Sequence, residues 1–181
     1  MTSSRDHVDR IIEQWHGQRP DLDTSPMAVI ARISRVSRFL ERSIGDVLGS
    51  FDLNEPQFAV LAALRRAGPP FILSPTALYN SLLISSGAMT NRLERLTAAG
   101  LVKRIPDSRD RRSMLVALTP KGNQVIDQAL SAHTENEHRL LAALDPGERE
   151  TLAGLLRQVL LQFDDGEMTA GPRGVARVAV T

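Results

Sequence analysis

Apolar residues recur along this chain with the period of helices almost throughout. Val8, Ile11, Ile12 and Trp15 fall at i, i+3, i+4 and i+7, one face of a short helix that Pro20 and its polar neighbours end. So short a helix is marginal alone, so its stripe must dock on something larger. Ser25 followed by Pro26 reads as an N-cap and first helical residue. Ile30, Ile33, Leu40, Ile44 and Val47 then continue one face of a long helix to about Ser50. A third helix over 53–67 opens on the capping pattern of Asn54 and Gln57, buries Phe58, Leu61 and Leu64, and stops at Gly68, Pro69 and Pro70.

Ser74 and Pro75 cap another helix, which includes Leu78 and Leu82. Residues 83–85 make a turn, and Ser85 or Ser86 caps the next helix, which runs to about Ala99 and stops at Gly100. Two short helices joined by such a turn form a helix-turn-helix. Two strand-like runs follow, 101–105 and 113–118, around a polar tip at 106–112 too charged to be buried. This hairpin predicts a wing. Thr119 and Pro120 open a sixth helix whose apolar pattern (Val125, Ala129, then Leu140, Leu141, Leu144) is interrupted by the polar run 131–139. A cap over residues 145–148 restarts the chain, and Leu152, Leu155, Leu156, Val159, Leu160 and Phe163 form a stripe that suits packing in an oligomer as well as an internal core. Residues 164–181 lack a sustained period and are expected to be a disordered tail.

The expected fold is mainly α with a small β-hairpin wing: one domain of 181 residues with terminal extensions. Composition narrows its role. No apolar run approaches the roughly 20 residues that span a bilayer, and the opening MTSSRDHVDR lacks a signal-peptide core, so the expected location is the cytoplasm. Cysteine is absent, which excludes disulfides, thiolate metal sites and thiol redox sensing. Net charge is only +1, but residues 85–121 hold eight basic side chains against three acidic ones. One region is therefore suited to face a polyanion while the remainder is net acidic.

At about 100° per residue, Met89, Leu93 and Leu96 set the buried side of the helix after the turn. Gly87, Thr90, Asn91, Glu94 and Arg95 turn away from it. Ser86, Gly87, Thr90 and Asn91 occupy the first turns, where a recognition helix meets base edges, and Arg95 can reach a base or phosphate. Arg92 lies about 60° from the centre of the apolar side, so its guanidinium is expected in a crevice, where it wants an anion from the protein or a ligand. In the wing, Arg109, Arg111 and Arg112 suit a narrow minor groove, with Asp107 and Asp110 orienting some of them.

The order of helical pieces, the segment SSGAMTNRLERLTAAGLVKR, the wing PDSRDRRS and the junction VALTPKG resemble the MarR family of bacterial regulators over about Trp15 to Phe163. That resemblance implies a homodimeric winged helix-turn-helix paired through its N- and C-terminal helices, binding a pseudopalindromic double-stranded DNA operator, acting as a repressor, and released by a small anionic or phenolic ligand. It divides the chain into N-terminal dimerisation and ligand-pocket helices (1–52), a DNA-binding lobe (53–119), C-terminal dimerisation helices (120–163) and the tail (164–181). WHGQRPDLD, LRRAG and SSGAMTNR are similar to the urate- and aconitate-responsive subgroup with an extra first helix. Carried onto this chain, the urate-binding positions of that subgroup fall on Trp15, Ala59, Arg92 and Arg104. Its FDVL motif reads FAVL here, so a methyl group replaces the acid that would accept from a purine N–H. A pocket that keeps two cations and loses that acid favours a carboxylate-bearing or more apolar ligand over urate. Trp15 reads either as a stacking platform for a planar ligand or as an aromatic anchor for its short helix.

Other classes are weaker. No HExxH, phosphate loop or Ser-His-Asp spacing suggests an enzyme, and no cofactor is implied. A metal sensor would have to draw on His7, His16, His133, His138 and Glu137, and the two later histidines, five apart, do not share a helical face. A non-sensing architectural DNA binder is the remaining alternative.

Overall fold

The structure, a computed structural model, describes residues 5–82, 86–107, 110 and 113–169, with side chains as far as Phe163 except that of Ser86. The chain divides into two units after Glu137. The first opens with α1 (His7–Gln18), α2 (Ser25–Gly49) and α3 (Glu55–Arg66). Then come β1 (Ile72–Leu73), α4 (Pro75–Leu82), α5 (Ser86–Ala98), β2 (Val102–Pro106) and β3 (Met114–Leu118). α6 (Pro120–Leu140) carries the chain across the division, and α7 (Pro146–Thr169) belongs to the second unit.

Local chemistry sets the helix ends. Asp6 and Asp9 form a capping box at α1, as Asn54 and Gln57 do at α3. α2 begins one residue earlier than its Ser-Pro pair predicts, with Thr24 at the N-cap. Thr24 gives its helix no side-chain cap, and its hydroxyl lies 2.7 Å from His16 Nε2. α1 rests on α2 through Arg32, whose guanidinium donates to Asp6 at 2.9 and 3.1 Å and to Asp9 at 2.6 Å. Its apolar stripe contributes less than expected: Val8 is buried, Ile11 and Ile12 are half-buried, and Trp15 is 42% exposed.

The sheet has three antiparallel strands in the order β1, β3, β2. Val102 faces Leu118, Arg104 faces Val116, and Pro106 faces Met114. The pairing of Ile72 with Ala117 and of Leu73 with Val116 adds a strand that two residues are too few to announce by periodicity. Leu61, Leu64, Leu78, Met89, Leu96 and Val116 centre the core, which also draws in Leu48 from α2 and Ile126 and Ala129 from α6.

The polar run 131–139 does not break α6, because part of it faces inward. Asn136 is buried and accepts from the Ser43 hydroxyl at 3.1 Å, and the His133 ring packs at 5.0 Å from that of Phe58. In the second unit, Asp145 and Glu148 cap α7 reciprocally at 2.9 Å each. α7 runs on to Thr169, six residues past the end of its apolar repeat at Phe163, so the first part of the expected tail is helical. Residues 170–181 lie outside the described residues. No helix among the described residues is long and apolar enough to cross a membrane.

Candidate DNA interface and its hollows

α4 and α5 form the two arms of the helix-turn-helix. Their linking residues 83–85, including the candidate cap Ser85, lie outside the described residues. α5 is held by Met89, Leu93 and Leu96, all buried, as the helical period requires. Gly87, Thr90, Asn91, Glu94 and Arg95 are exposed on its other side. A Cβ on Gly87 would touch nothing, so this first turn leaves its backbone open to close approach. Ser86 begins the helix.

The far end of α5 is fastened by the start of α6. Gly100 takes a left-handed φ of 71°, and the Lys121 ammonium donates to the Ala99 carbonyl at 3.0 Å. Thr119 Oγ accepts from Gly122 N–H at 2.9 Å and donates to the Gly100 carbonyl at 2.8 Å. The wing hairpin narrows through Asp107 N–H, which donates to the Ser113 carbonyl at 2.9 Å, and the Ser113 hydroxyl, which donates to Asp110 at 2.7 Å. Arg109, Arg111 and Arg112, the expected minor-groove residues, lie outside the described residues.

Among the described residues, two hollows lie beside α5. The first, of about 290 Å³, is lined by Tyr79 of α4, Met89, Thr90 and Leu93 of α5, Arg104 of β2, and Met114 and Val116 of β3, among others. Arg104 is the sole charged residue in a largely apolar lining. It reaches this place because, two residues along β2 from buried Val102, it shares that residue's sheet face.

The second hollow, of about 350 Å³, lies between the first turn of α3 (Asn54, Gln57) and the outer side of α5 (Asn91, Arg92, Arg95). Arg92 is half-buried there, at the edge of the apolar side as its wheel position predicts. Among the described residues neither Arg92, Arg95 nor Arg104 is paired with a carboxylate. Arg92 and Arg104, expected to share one pocket, thus line different hollows, and neither hollow is lined by Trp15 on α1 or the half-buried Ala59 on α3. Sequence reasoning missed Asn54 and Gln57 as lining residues, although their capping pattern was readable. It also missed Tyr79 and Met114, whose approach depends on tertiary packing.

The histidines are engaged locally. His16 meets Thr24, and His133 lies 3.2 Å from Glu137. His7 and His138 lie 3.4 Å from Arg10 and Arg149 respectively. No group of three His, Cys, Asp or Glu residues among the described residues could hold a metal ion.

Comparison with known proteins fits this geometry. The MarR family profile matches residues 51–113, from just past α2 through β2 to the residue before β3. The transcriptional regulator PecS of Dickeya dadantii is 40% identical over 152 residues, covering 84% of this chain and 92% of PecS. A mutant MarR of Escherichia coli complexed with operator DNA superposes with a TM-score of 0.64 at 29% identity, covering 86% of this chain and 99% of that one. BpsR of Bordetella bronchiseptica, whose DNA binding is regulated by 6-hydroxynicotinic acid, gives 0.63 at 27% identity over 72% of this chain and 91% of its own. The chain belongs to the MarR family of transcriptional regulators, which are DNA-binding regulators and not enzymes.

Proposed function

We propose that this regulator is a repressor that binds a pseudopalindromic operator as a homodimer and is released by a small anionic organic ligand. The observation that carries the DNA reading is the exposed side of α5, small and polar at its start and cationic at its end, on a fold shared with an operator-bound relative. Ser86, Gly87, Thr90 and Asn91 are assigned to base edges, Arg95 to a base or phosphate, and Arg109, Arg111 and Arg112 to the minor groove.

For the ligand, the hollow around Arg104 supports an aromatic or otherwise apolar carboxylate: its walls are apolar and its one charge is a guanidinium without a described carboxylate partner. Thr90 lines this hollow and also belongs to the DNA-facing turns, so a ligand seated beside it can shift the reading helix. Trp15, Ala59 and Arg92, the other candidate ligand contacts, stand outside this hollow, so the assignment rests on Arg104.

Fluorescence anisotropy with a duplex selected by the protein from a random pool tests both halves. Arg111→Ala or Arg112→Ala should weaken binding to every sequence and lower its salt dependence, whereas substitutions at Thr90 or Asn91 should change which sequence is preferred. Equal losses on all sequences from both groups would contradict this division. A panel of aromatic and aliphatic carboxylates should contain compounds that release the duplex from the wild type but not from Arg104→Gln. Release unaffected by that change would remove Arg104 from the site, and a panel without effect would favour the non-sensing alternative.

A further inference from the structure

We propose that the hollow between α3 and α5 seats a backbone phosphate of the bound duplex, gripped by the side-chain amides of Asn54 and Gln57 and the guanidinium groups of Arg92 and Arg95. This rests on the DNA-binding reading above and extends the contact surface to α3.

The argument begins with the capping box. Asn54 Oδ1 accepts from Gln57 N–H at 3.0 Å, and Gln57 Oε1 accepts from Asn54 N–H at 2.9 Å. Each amide therefore spends its oxygen on the helix's own backbone, and that fixes which end of each side chain is the NH2 group. The two NH2 groups have no partner among the described residues, and both side chains line the hollow. Opposite them stand Arg92, half-buried, and Arg95, exposed and one helical turn away. No carboxylate among the described residues lines the hollow. The result is a concavity walled by fixed donors and two like charges whose repulsion an anion would relieve.

Guanidinium and amide donors converging without an acceptor are the chemistry of phosphate recognition. Its place favours the nucleic acid as the source. Gly87 and Asn91, which line this hollow, also stand on the side of α5 assigned to base edges, so a duplex read by that side carries its backbone past the opening. A phosphate held there fixes the register of α5 in the groove without reading sequence itself.

Gln57→Glu separates this role from folding. Glutamate still supplies the oxygen that caps α3, but it replaces the donor with a carboxylate at the seat. The variant should keep the wild-type melting temperature, lose affinity equally for the selected and an unrelated duplex, and show a log–log salt slope shallower by about one. Arg92→Gln, which leaves the capping box untouched, should give the same slope change. The phosphate is identified by replacing single phosphates of the selected duplex with methylphosphonates. One position in each half-site should weaken the wild type yet have no further effect on either variant. If every methylphosphonate costs wild type and variants equally, the phosphate seat is overturned while the DNA reading stands. If the wild type binds no duplex at all, the DNA reading falls and the seat with it.

Discussion

Gly122 lies so close to the carbonyl of Leu101 that a Cβ built on it overlaps that oxygen. The approach follows from the junction around it. Thr119 N–H donates to the same carbonyl at 3.1 Å, and the Lys121 ammonium and Thr119 hydroxyl take the two carbonyls before it. The first turn of α6 thus satisfies the backbone just beyond α5, and only a residue without a side chain permits that contact. Gly122→Ala should lower stability by about 1–3 kcal/mol or more, because the overlapping atom is backbone and has no rotamer to escape into. A urea titration should show a lower midpoint at unchanged slope; an unchanged midpoint would mean that the two backbones separate freely. The letters TPKG do not reveal this approach, which depends on where α5 ends in space. The wheel positions of Met89, Leu93, Leu96 and Arg92 were legible because helical period alone decides which side of α5 is buried. The grouping of Arg92 with Arg104 was not, since a strand and a helix can present two cations to opposite sides of one recognition helix.

At the scale of elements, α1 is attached chiefly by polar contacts. Val8 is its one buried residue, and Arg32 ties Asp6 and Asp9 to α2. The Asp6 carboxyl is held below its ordinary value of 3.8, first by the Asp9 N–H that it accepts, against desolvation that raises it, and with help from Arg32 and the Val8 N–H. A depressed carboxylate contributes stability that is fully present above its unfolded value and is lost as pH falls through its folded value. Acidification below about pH 4 should therefore loosen α1 while the core around Leu61 and Leu96 holds. Trp15 on α1 is the only tryptophan, so its emission reports this step. Asp6→Asn keeps a capping oxygen but removes the titration, and should flatten the acid transition of Trp15. Coincident loss of Trp15 signal and far-UV helicity in the wild type would show instead that α1 and the core unfold together. Legibility at this scale followed the strength of local signals. The caps at Asn54 and Asp145 were plain because their partners are three residues away. β1 is too short for any period, and the polar run of α6 resembled an exposed break because sequence cannot tell that Asn136 meets Ser43 from ninety-three residues earlier.

Among the described residues, α2 and α7 each carry apolar side chains left exposed. On α2, Val29, Ile30, Val36 and Phe39 are more than half exposed. On α7, Leu152, Leu155, Leu156, Val159, Leu160 and Phe163 follow helical spacing, and none of its described side chains is buried. Such surfaces on two helices are expected of an interface, and a helix that buries no face of its own draws little stability from propensity alone. In the homodimer proposed above, two α5 helices would meet half-sites about 10 bp apart, so dimerisation and operator preference are expected to fail together. Phe39→Glu and Leu156→Glu each place a charge in the proposed interface, where its desolvation would be uncompensated. Each variant should sediment nearer the 19.9 kDa of one chain than the wild type does. Each should also lose the wild type's advantage on a duplex with two half-sites over a duplex with one, while affinity for the single half-site persists. Two-site preference surviving in a monomeric variant would place the second contact within one chain. A dimer indifferent to both charges would move the interface away from α2 and α7.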